Sequence, residues 1–294
     1  MNILLLGKGY IGTALYQELT RSGHFNVNWA SKADCGYDDP SRLERVLCNV
    51  YYQKAYDVVI NASGYTGRPN VDACEDNKDD TWYYNVKVPG MIARMCNTHD
   101  IHLVHISSGC IFDGYQKEFC ENDEPNFGLC NLNSSWYSKT KHAGELAVEN
   151  TGATVLRIRM PFCNTLSDRN ILMKLLKYDN IINQTNSMTN VEDLVLFISS
   201  FLHNKQSHWG ETYNVVNSNP IPTSTIINML KLHGLDNVKW KYINLDQLYD
   251  KTKAHRSNCV LSTKKIQSID MSMPDTNISL SRCIKSLKNE MVQA

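Results

Sequence analysis

The sequence predicts an α/β fold, a doubly wound parallel sheet with helices on both faces and a smaller C-terminal lobe. Short apolar runs alternate with longer helical patterns over the first 160 residues, which is typical of right-handed βαβ units. A glycine-rich turn directly follows the first apolar run. After about residue 160, prolines and a polar stretch divide the chain into smaller pieces. These three features together indicate one sheet-based domain followed by a less regular lobe.

The individual elements follow from hydrophobic periodicity. Five buried strands are expected because each apolar run is short and bounded by polar or turn residues; they are Ile3–Leu6, Val27–Trp29, Val58–Ala62, Leu103–Ile106 and Val155–Ile158. Helices are expected between them near Ile11–Arg21, Ser41–Tyr51, Thr81–Asn97 and Tyr137–Glu149. In the C-terminal part they are expected at Glu192–Leu202, Ser224–Leu232 and Asn277–Met291.

Composition narrows the class of protein. The 294 residues contain 30 lysines and arginines against 30 aspartates and glutamates, so no charge bias points to nucleic acid or to a membrane surface. The apolar start is too short for a signal peptide, and no apolar run approaches the roughly 20 residues of a membrane span. The ten cysteines form no CxxC pair, which predicts reduced thiols and no metal site. A cytoplasmic protein is expected.

The glycine-rich turn is the first candidate binding element. Gly7, Gly9 and Gly12 form a GxGxxG pattern after a strand and at the start of a helix, with Tyr10 and Ile11 between the last two glycines. Glycine lets the backbone bend tightly and approach a pyrophosphate, which then lies at the helix N-terminus. In this βα context the pattern predicts a dinucleotide-binding Rossmann domain, whereas alone it also fits an ordinary glycine-rich turn.

The end of the second strand bears on the choice of nicotinamide cofactor. An acid at this place would bind a ribose 2′-hydroxyl, but the chain has Ser31 and Lys32 there, with Asp34 further along. A hydroxyl and a cation suit a 2′-phosphate, so NADPH is favoured over NADH. The alternative is that Lys32 is a solvated loop charge.

A tyrosine and a lysine four residues apart on a helix can form a proton-transfer pair, because the ammonium favours the phenolate. This YxxxK pattern occurs three times, at Tyr83/Lys87, Tyr137/Lys141 and Tyr249/Lys253. Only Tyr137 and Lys141 begin the helix that follows the strand ending in Ser107-Ser108. Ligands bind at the carboxyl ends of strands in a doubly wound sheet. Position therefore selects this pair for the site, and the other two are interpreted as helix-surface coincidences.

Several further stretches extend the pattern over nearly the whole chain. They are Asn61-Ala62-Ser63-Gly64, Tyr65-Thr66-Gly67-Arg68-Pro69-Asn70-Val71-Asp72, Ser107-Ser108-Gly109-Cys110-Ile111-Phe112, Glu124-Pro125-Asn126-Phe127, Tyr137-Ser138-Lys139-Thr140-Lys141, Arg157-Ile158-Arg159-Met160-Pro161, Asn186-Ser187-Met188-Thr189 and Arg256-Ser257-Asn258. Together with the glycine turn they resemble the dTDP-4-dehydrorhamnose reductase family of extended short-chain dehydrogenases/reductases. The resemblance is closer still to the bifunctional UDP-4-keto-6-deoxy-glucose 3,5-epimerase/4-reductases of UDP-L-rhamnose synthesis.

The chain departs from the family at two places. The first two glycines of the family's turn are usually separated by two residues, whereas Gly7 and Gly9 are separated by one. We expect the cofactor to bind nevertheless, with shifted pyrophosphate contacts. Ser108 stands where many relatives have threonine, which retains the hydroxyl.

The resemblance implies catalytic roles for three more residues. The catalytic hydroxyl in extended members lies four residues before an aromatic residue, which selects Ser108 through Phe112. Cys110 then matches the acid/base position of relatives that epimerise, and Lys174 matches the second proton-transfer residue. The alternatives are that Cys110 is a small buried thiol and that Lys174 lies on an exposed helix face.

The resemblance also implies the binding residues. Ala62, Ser63 and Gly64 join the glycine turn, Ser31, Lys32, Tyr137 and Lys141 in holding the cofactor. Thr66, Arg68, Asn70, Asn186 and Arg256 are the candidates for holding a nucleotide-sugar, since a guanidinium fork suits a diphosphate. Residues 1–160 are accordingly expected to form the NADP-binding domain. Residues 161–294 are expected to form mainly the substrate-binding lobe, interleaved with the first.

The expected activity is epimerisation of UDP-4-keto-6-deoxy-glucose at C3 and C5, followed by reduction of the C4 ketone with NADPH. One alternative is a monofunctional reductase of a dTDP- or UDP-4-keto-sugar, in which Cys110 has no catalytic role. Another is a non-catalytic, NADP-binding regulatory subunit like that of methionine adenosyltransferase, against which the intact Ser108, Tyr137 and Lys141 argue. A homodimer would fit the family, but the sequence decides neither the oligomeric state nor UDP against dTDP.

Overall fold

The structure, a computed structural model, describes residues 1–48 and 55–293. Its strands are β1 (Asn2–Leu6), β2 (Asn26–Ala30), β3 (Val58–Asn61), β4 (His102–Ser108), β5 (Gly114–Phe119), β6 (Thr154–Ile158), β7 (Asn180–Ile181), β8 (Thr185–Asn186), β9 (Thr212–Asn214), β10 (Ile221–Pro222), β11 (Lys241–Tyr242) and β12 (Cys259–Leu261). Within the described residues, β2-β1-β3-β4-β6-β9 form, in that order, a six-stranded sheet in which all neighbours are parallel. The predicted doubly wound parallel sheet is confirmed.

The helices are α1 (Tyr10–Arg21), α2 (Lys32–Cys35), α3 (Pro40–Leu47), α4 (Ala73–Asp76), α5 (Lys78–Trp82), α6 (Val88–Thr98), α7 (Trp136–Val148), α8 (Ile171–Leu175), α9 (Val191–Asn204), α10 (Thr223–Leu232), α11 (Leu245–Tyr249), α12 (Lys264–Ser268) and α13 (Thr276–Gln293). A π-helical turn over Tyr83–Lys87 joins α5 to α6. A 3₁₀ turn over Gly109–Ile111 follows β4. No helix in the described part of the chain combines the length and the apolar character needed to cross a membrane.

The central strands are buried on both faces, which explains why they are continuous apolar runs in the sequence. In β1, Ile3 and Leu5 pack into a core with α1 and α9, while Leu4 and Leu6 pack into a second core with α3 and α6. Successive side chains of a strand point to opposite faces. The first strand therefore contributes to both helical layers.

The C-terminal part has a third hydrophobic core, built mainly from α8, α10 and α13. Leu172, Ile226, Leu230, Leu280 and Ile284 are among its buried members. Two of the three two-stranded sheets, β11 with β7 and β10 with β8, contribute Ile181 and Ile221 to it, whereas β12 with β5 belongs to a separate small core. Since α9 and β9 pack with the main sheet, while α8 before them and α10 after them build this lobe, the two parts are interleaved along the chain.

Most predicted elements lie within two residues of their observed bounds, but some differ. The helix predicted over Thr81–Asn97 is instead α5, the π-helical turn and α6. The helix predicted over Ser41–Tyr51 corresponds to α3, and residues 49–51 of that prediction lie outside the described residues. The sixth strand of the sheet, β9, was not predicted because three residues with one buried aromatic do not form a recognisable apolar run.

Candidate active site

A cleft of about 1380 Å³ opens at the carboxyl ends of β1, β3, β4 and β6 and extends to the C-terminal lobe. The strand order changes direction beside β1, because β2 lies on one side of it and β3 on the other. Ligands of open α/β sheets bind at such a switch point. Most of the residues predicted from the sequence line this cleft: Gly9, Tyr10, Ile11, Ala62, Ser63, Gly64, Thr66, Arg68, Asn70, Ser108, Cys110, Tyr137, Lys141, Lys174 and Arg256.

The glycine turn is tightly packed behind this lining. Gly7 has φ +105°, and a Cβ atom there would lie 2.9 Å from the backbone of Ala62 and Ser63. A Cβ on Gly12 would lie 1.9 Å from the carbonyl oxygen of Gly7. A Cβ atom on Gly9, by contrast, would meet no heavy atom within 4 Å. Gly9 directly precedes α1. The turn thus leaves the N-terminus of α1 open to the cleft, where a phosphate can bind backbone N–H groups.

Two asparagines to which the sequence analysis gave no role, Asn61 and Asn85, fix the loop after β3. The Asn61 side-chain oxygen accepts hydrogen bonds from the Ser63 backbone N–H (3.0 Å) and from its hydroxyl (2.5 Å). The Asn85 oxygen accepts from the Tyr65 N–H (2.8 Å), and its amide donates to Thr140 Oγ1 on α7 (3.0 Å). These contacts fix the loop after β3 against the helix of the tyrosine–lysine pair. The signal for Asn61 was its place in the Asn61-Ala62-Ser63-Gly64 stretch, at the end of an apolar strand, whereas Asn85 lies in the π-helical turn and had no such signal.

Ser31 and Lys32 lie outside the cleft lining, at the end of β2. Ser31 caps α2, and its hydroxyl donates to Asp34 Oδ2 (2.8 Å). Asp34 also forms an ion pair with Lys8 (2.9 Å). The Ser31 hydrogen bonds and Lys8 lower the pKa of Asp34 to about 2. This corner therefore contains two lysines and a hydroxyl but also a carboxylate, which the sequence reading had placed further from the site.

The proton-transfer group is assembled from β4 and α7. Ser108 ends β4, and its hydroxyl accepts the Cys110 N–H (3.2 Å) and hydrogen-bonds the Tyr137 hydroxyl. Lys141 is buried, and its Nζ donates to the Ile106 carbonyl oxygen (3.3 Å). The neighbouring Ser107 instead donates to Glu145 (2.5 Å). Of the two adjacent serines, the structure therefore brings Ser108 to the tyrosine, and its catalytic role stays a prediction.

Burial shifts the pKa values of Lys141 and Tyr137 in opposite directions. It lowers the pKa of Lys141 to about 8, against the opposing effects of Glu145 and Cys110. Burial and the nearby Cys110 raise the pKa of Tyr137, and the hydrogen bond from Ser108 opposes this. Tyr137 is consequently a protonated phenol at neutral pH, beside a lysine that titrates close to neutrality.

Cys110 and Lys174 reach the same cleft from different elements. Cys110 lies in the 3₁₀ turn after β4, and Lys174 lies in the last turn of α8. Burial lowers the pKa of Lys174, and the positive charges of Arg169 and Arg256 lower it further. The structure thus brings the two predicted proton-transfer residues to the cavity that Tyr137 and Ser108 line.

A cationic wall lines the part of the cleft next to α8. It contains Arg68, Arg169, Lys174 and Arg256, of which Arg256 is paired with Asp72 through two hydrogen bonds of 2.9 and 3.1 Å. Burial and the nearby Arg68 lower the pKa of Arg169. Sequence reasoning missed Arg169, and its only signal was a position five residues before Lys174.

Asn186 is the predicted substrate residue that the structure does not bring to the cleft. It is buried, its side-chain oxygen accepts from Arg159 (2.5 Å), and its amide donates to Asn258 (3.1 Å). Arg159 and Asn258 do line the cleft, so Asn186 lies one layer behind it. The other tyrosine–lysine pairs, Tyr83/Lys87 and Tyr249/Lys253, do not line the cleft either.

Comparisons with known proteins agree with this geometry. The profile described as the RmlD substrate binding domain matches residues 1–289. The crystal structure of the L780 UDP-rhamnose synthase from Acanthamoeba polyphaga mimivirus superposes with a TM-score of 0.85 and 27% identity, covering 97% of this chain and 99% of that one. A dTDP-4-dehydrorhamnose reductase from Bacillus anthracis, in complex with NADP, has a TM-score of 0.78 at 18% identity, covering 98% and 99%.

Among curated sequences, the chain is 34% identical over 218 residues to the trifunctional UDP-glucose 4,6-dehydratase/UDP-4-keto-6-deoxy-D-glucose 3,5-epimerase/UDP-4-keto-L-rhamnose-reductase RHM3 of Arabidopsis thaliana. The alignment covers 71% of this chain and 32% of the plant enzyme. The chain therefore spans about a third of the length of that relative. The match over residues 1–289, on a parallel sheet with the serine, tyrosine and lysine in one cleft, shows that this chain belongs to the RmlD substrate binding domain family.

Proposed function

We propose that the chain epimerises UDP-4-keto-6-deoxy-glucose at C3 and C5 and reduces its C4 ketone with NADPH, giving UDP-L-rhamnose. The observation that carries this proposal is the convergence of two residue sets on one cleft: Ser108, Tyr137 and Lys141 for reduction, and Cys110 and Lys174 for proton exchange. The activities of the mimivirus synthase and of the plant enzyme support it.

The cleft fits a dinucleotide. The space in front of Gly9 and the N-terminus of α1 suits the pyrophosphate, and Ala62, Ser63 and Gly64 line the neighbouring wall. Lys8, Ser31 and Lys32 suit a 2′-phosphate. The NADP complex of the Bacillus anthracis reductase, which shares this fold, supports NADPH as the cofactor. Bound NADPH supplies the hydride for reduction at C4.

In the reduction, Tyr137 donates its proton to the C4 oxygen. It is protonated at neutral pH because burial raises its pKa. The hydroxyl of Ser108, hydrogen-bonded to the phenol, holds the ketone oxygen where the proton arrives. The ammonium of Lys141 stabilises the phenolate that remains. These three groups meet the requirements of a carbonyl reductase without a metal ligand.

In the epimerisation, the C4 ketone acidifies the protons on C3 and C5. Removal of either proton leaves an enolate whose oxygen Tyr137 and Ser108 hold by hydrogen bonds. Inversion needs a second group that returns a proton to the opposite face of the same carbon. Cys110 and Lys174 approach the cavity from the 3₁₀ turn after β4 and from α8, so they can serve the two faces.

The nucleotide part of the substrate belongs to the cationic wall. Arg68, Arg169 and Arg256 can bind diphosphate oxygens through their guanidinium forks, and Thr66 and Asn70 line the same side of the cleft. Asn186 would act through Arg159 and Asn258. In this proposal residues 161–294 supply mainly substrate contacts, and residues 1–160 supply the cofactor site and the Ser108, Tyr137 and Lys141 group.

The test is incubation with UDP-4-keto-6-deoxy-glucose and NADPH in deuterated water, followed by cofactor absorbance and NMR of the product. L-Rhamnose carrying deuterium at C3 and C5 is expected. Cofactor oxidation without incorporation would reduce the function to a 4-keto-sugar reductase, and no turnover would favour a regulatory subunit. Cys110→Ser should abolish incorporation, whereas the matched control Cys130→Ser, at an exposed thiol outside the cleft, should not.

A further inference from the structure

Arg159 is a fully buried arginine at the floor of the cleft, only 1% exposed. Its guanidinium donates to Ser257 Oγ (2.9 Å), to the Ser257 carbonyl oxygen (2.6 Å) and to Asn186 Oδ1 (2.5 Å), and its Nε has no partner. Among the described residues, no carboxylate oxygen lies within 4.0 Å of it. The contrast is Arg157, on the same strand, which pairs with Glu145 at 2.8 Å.

The fourth contact of this guanidinium is the Cys110 sulfur. Arg159 Nη1 lies 3.6 Å from Cys110 Sγ and 3.5 Å from the Gly109 carbonyl oxygen, in the turn that carries the cysteine. Cys110 itself faces the cleft. One buried cation therefore touches the predicted proton-transfer sulfur and the backbone immediately before it.

A buried charge is costly unless an opposite charge compensates it. The serine and asparagine oxygens satisfy hydrogen bonds but carry no net charge. Burial alone would lower the pKa of Arg159, but the nearby Cys259, Cys110, Tyr115 and Asp113 raise it, so the guanidinium stays charged. Burial raises the pKa of Cys259 to about 11, which keeps that thiol neutral. Asp113 acts on the guanidinium only from beyond 4.0 Å, so among the groups in contact with Arg159, Cys110 is the one that can supply a negative charge.

We propose that Arg159 is a positioning residue for the epimerisation, because its buried guanidinium holds the sulfur of Cys110 at the cleft floor as a thiolate. The inference rests on the proposed function, and it states which group removes the proton and which group returns one. The thiolate removes the C3 or C5 proton: the C–H bond breaks, an S–H bond forms, and the electron pair moves to the C4 oxygen as an enolate. The ammonium of Lys174 then delivers a proton to the opposite face, and solvent restores both groups.

The lowered pKa of Lys174 fits this direction, because a less basic amine gives up its proton more readily. The titratable groups that face Cys110 are Tyr137 and Lys141 from α7, Arg159 from β6 and Cys259 from β12. Tyr137 and Cys259 are neutral near pH 7, so Arg159 and Lys141 are the cations that favour the thiolate.

The direct test measures the pH dependence of iodoacetamide labelling at Cys110 by peptide mass spectrometry, with exposed Cys130 as a reference in the same chain. In the unmodified protein, Cys110 labelling should reach half its maximal rate at a lower pH than Cys130 labelling. Arg159→Gln should move the Cys110 curve upward by about one pH unit or more, since a hydrogen bond from a charged donor is worth about 1.5–3 kcal/mol. Arg159→Lys should restore most of the shift, and Cys130 should not respond.

This labelling does not depend on turnover, so it separates the two proposals. If the unmodified protein exchanges no deuterium yet shows the low-pH labelling of Cys110, the epimerase proposal fails and the arginine–thiolate pair stands. Coincident curves for Cys110 and Cys130 in the unmodified protein would overturn the pair, even if Arg159→Gln does not fold.

The second readout is catalytic. In a folded Arg159→Gln variant, deuterium exchange at pH 7 should fall about tenfold or more and recover at higher pH. NADPH-dependent reduction of an already epimerised 4-keto-sugar should fall by a clearly smaller factor than the exchange. An equal loss of both activities would indicate a merely structural role and would overturn the assignment.

Discussion

Raising the pH from 7 to 9 is expected to reduce kcat/KM for the 4-keto-sugar reduction about tenfold. The structure assigns this loss to Lys141, whose pKa burial lowers to about 8. With that pKa, about nine-tenths of Lys141 is protonated at pH 7 and about one-tenth at pH 9. In the proposed reduction, only the ammonium stabilises the phenolate that forms as Tyr137 gives up its proton. An exposed lysine, with its pKa near 10.5, would leave the rate unchanged over this range.

Tyr137 does not contribute to the pH dependence of kcat/KM in this range, because its raised pKa keeps the phenol protonated up to pH 9 and beyond. The assay is the initial rate of NADPH oxidation at subsaturating sugar from pH 6 to 10, since kcat/KM reports the groups of the free enzyme. Lys141→Arg retains a positive charge throughout and should give a flat profile, at a lower rate. A wild-type profile flat to pH 10, or a Lys141→Arg profile that still falls near pH 8, would refute the reasoning.

Three further perturbations follow from the geometry. Ser108→Ala should lower kcat about 100-fold or more, as expected for loss of a donor to a developing oxyanion. Ser107→Ala only loses its bond to Glu145. It should therefore cost about 1 kcal/mol of stability, measured by denaturant unfolding. Asp34→Asn should raise the ratio of kcat/KM with NADPH to kcat/KM with NADH by up to about fivefold, because it removes a half-exposed negative charge beside Ser31 and Lys8. A fall in this ratio would contradict the placement of the 2′-phosphate. Gly7→Ala should lower stability by about 2 kcal/mol or more and weaken NADPH binding, because of its positive φ and the 2.9 Å approach to the β3 loop. Gly9→Ala, with open space around it, should leave Tm nearly unchanged.

The fold was largely predictable because its signals are local. Each central strand is an uninterrupted apolar run, since helices cover both faces of the sheet. The π-helical turn at Tyr83–Lys87 was not predictable, because its residues have the same periodicity as an α-helix. It places Asn85 toward the loop after β3, which is a tertiary contact.

The candidate site likewise has features that the sequence predicts and features that it does not. The choice of Tyr137/Lys141 among three identical patterns was possible because strand order fixes which helix begins at the carboxyl edge of the sheet. The position of Asn186 behind the cleft, and not in its lining, could not be predicted from the sequence. A motif records that a residue type is required but does not say whether its side chain faces ligand or protein.

The sequence by itself determined the parallel sheet, the glycine turn and which tyrosine–lysine pair lies at the carboxyl edge of the sheet, because these depend on residues within one βα unit. The tertiary structure decided which groups carry charge. Arg159 meets Cys110 across 49 residues, and Arg256 meets Asp72 across 184. The lowered pKa values of Lys141 and Lys174 come from burial. Burial and distant pairing arise only when the chain closes on itself, and they determine which of its acids and bases can move a proton.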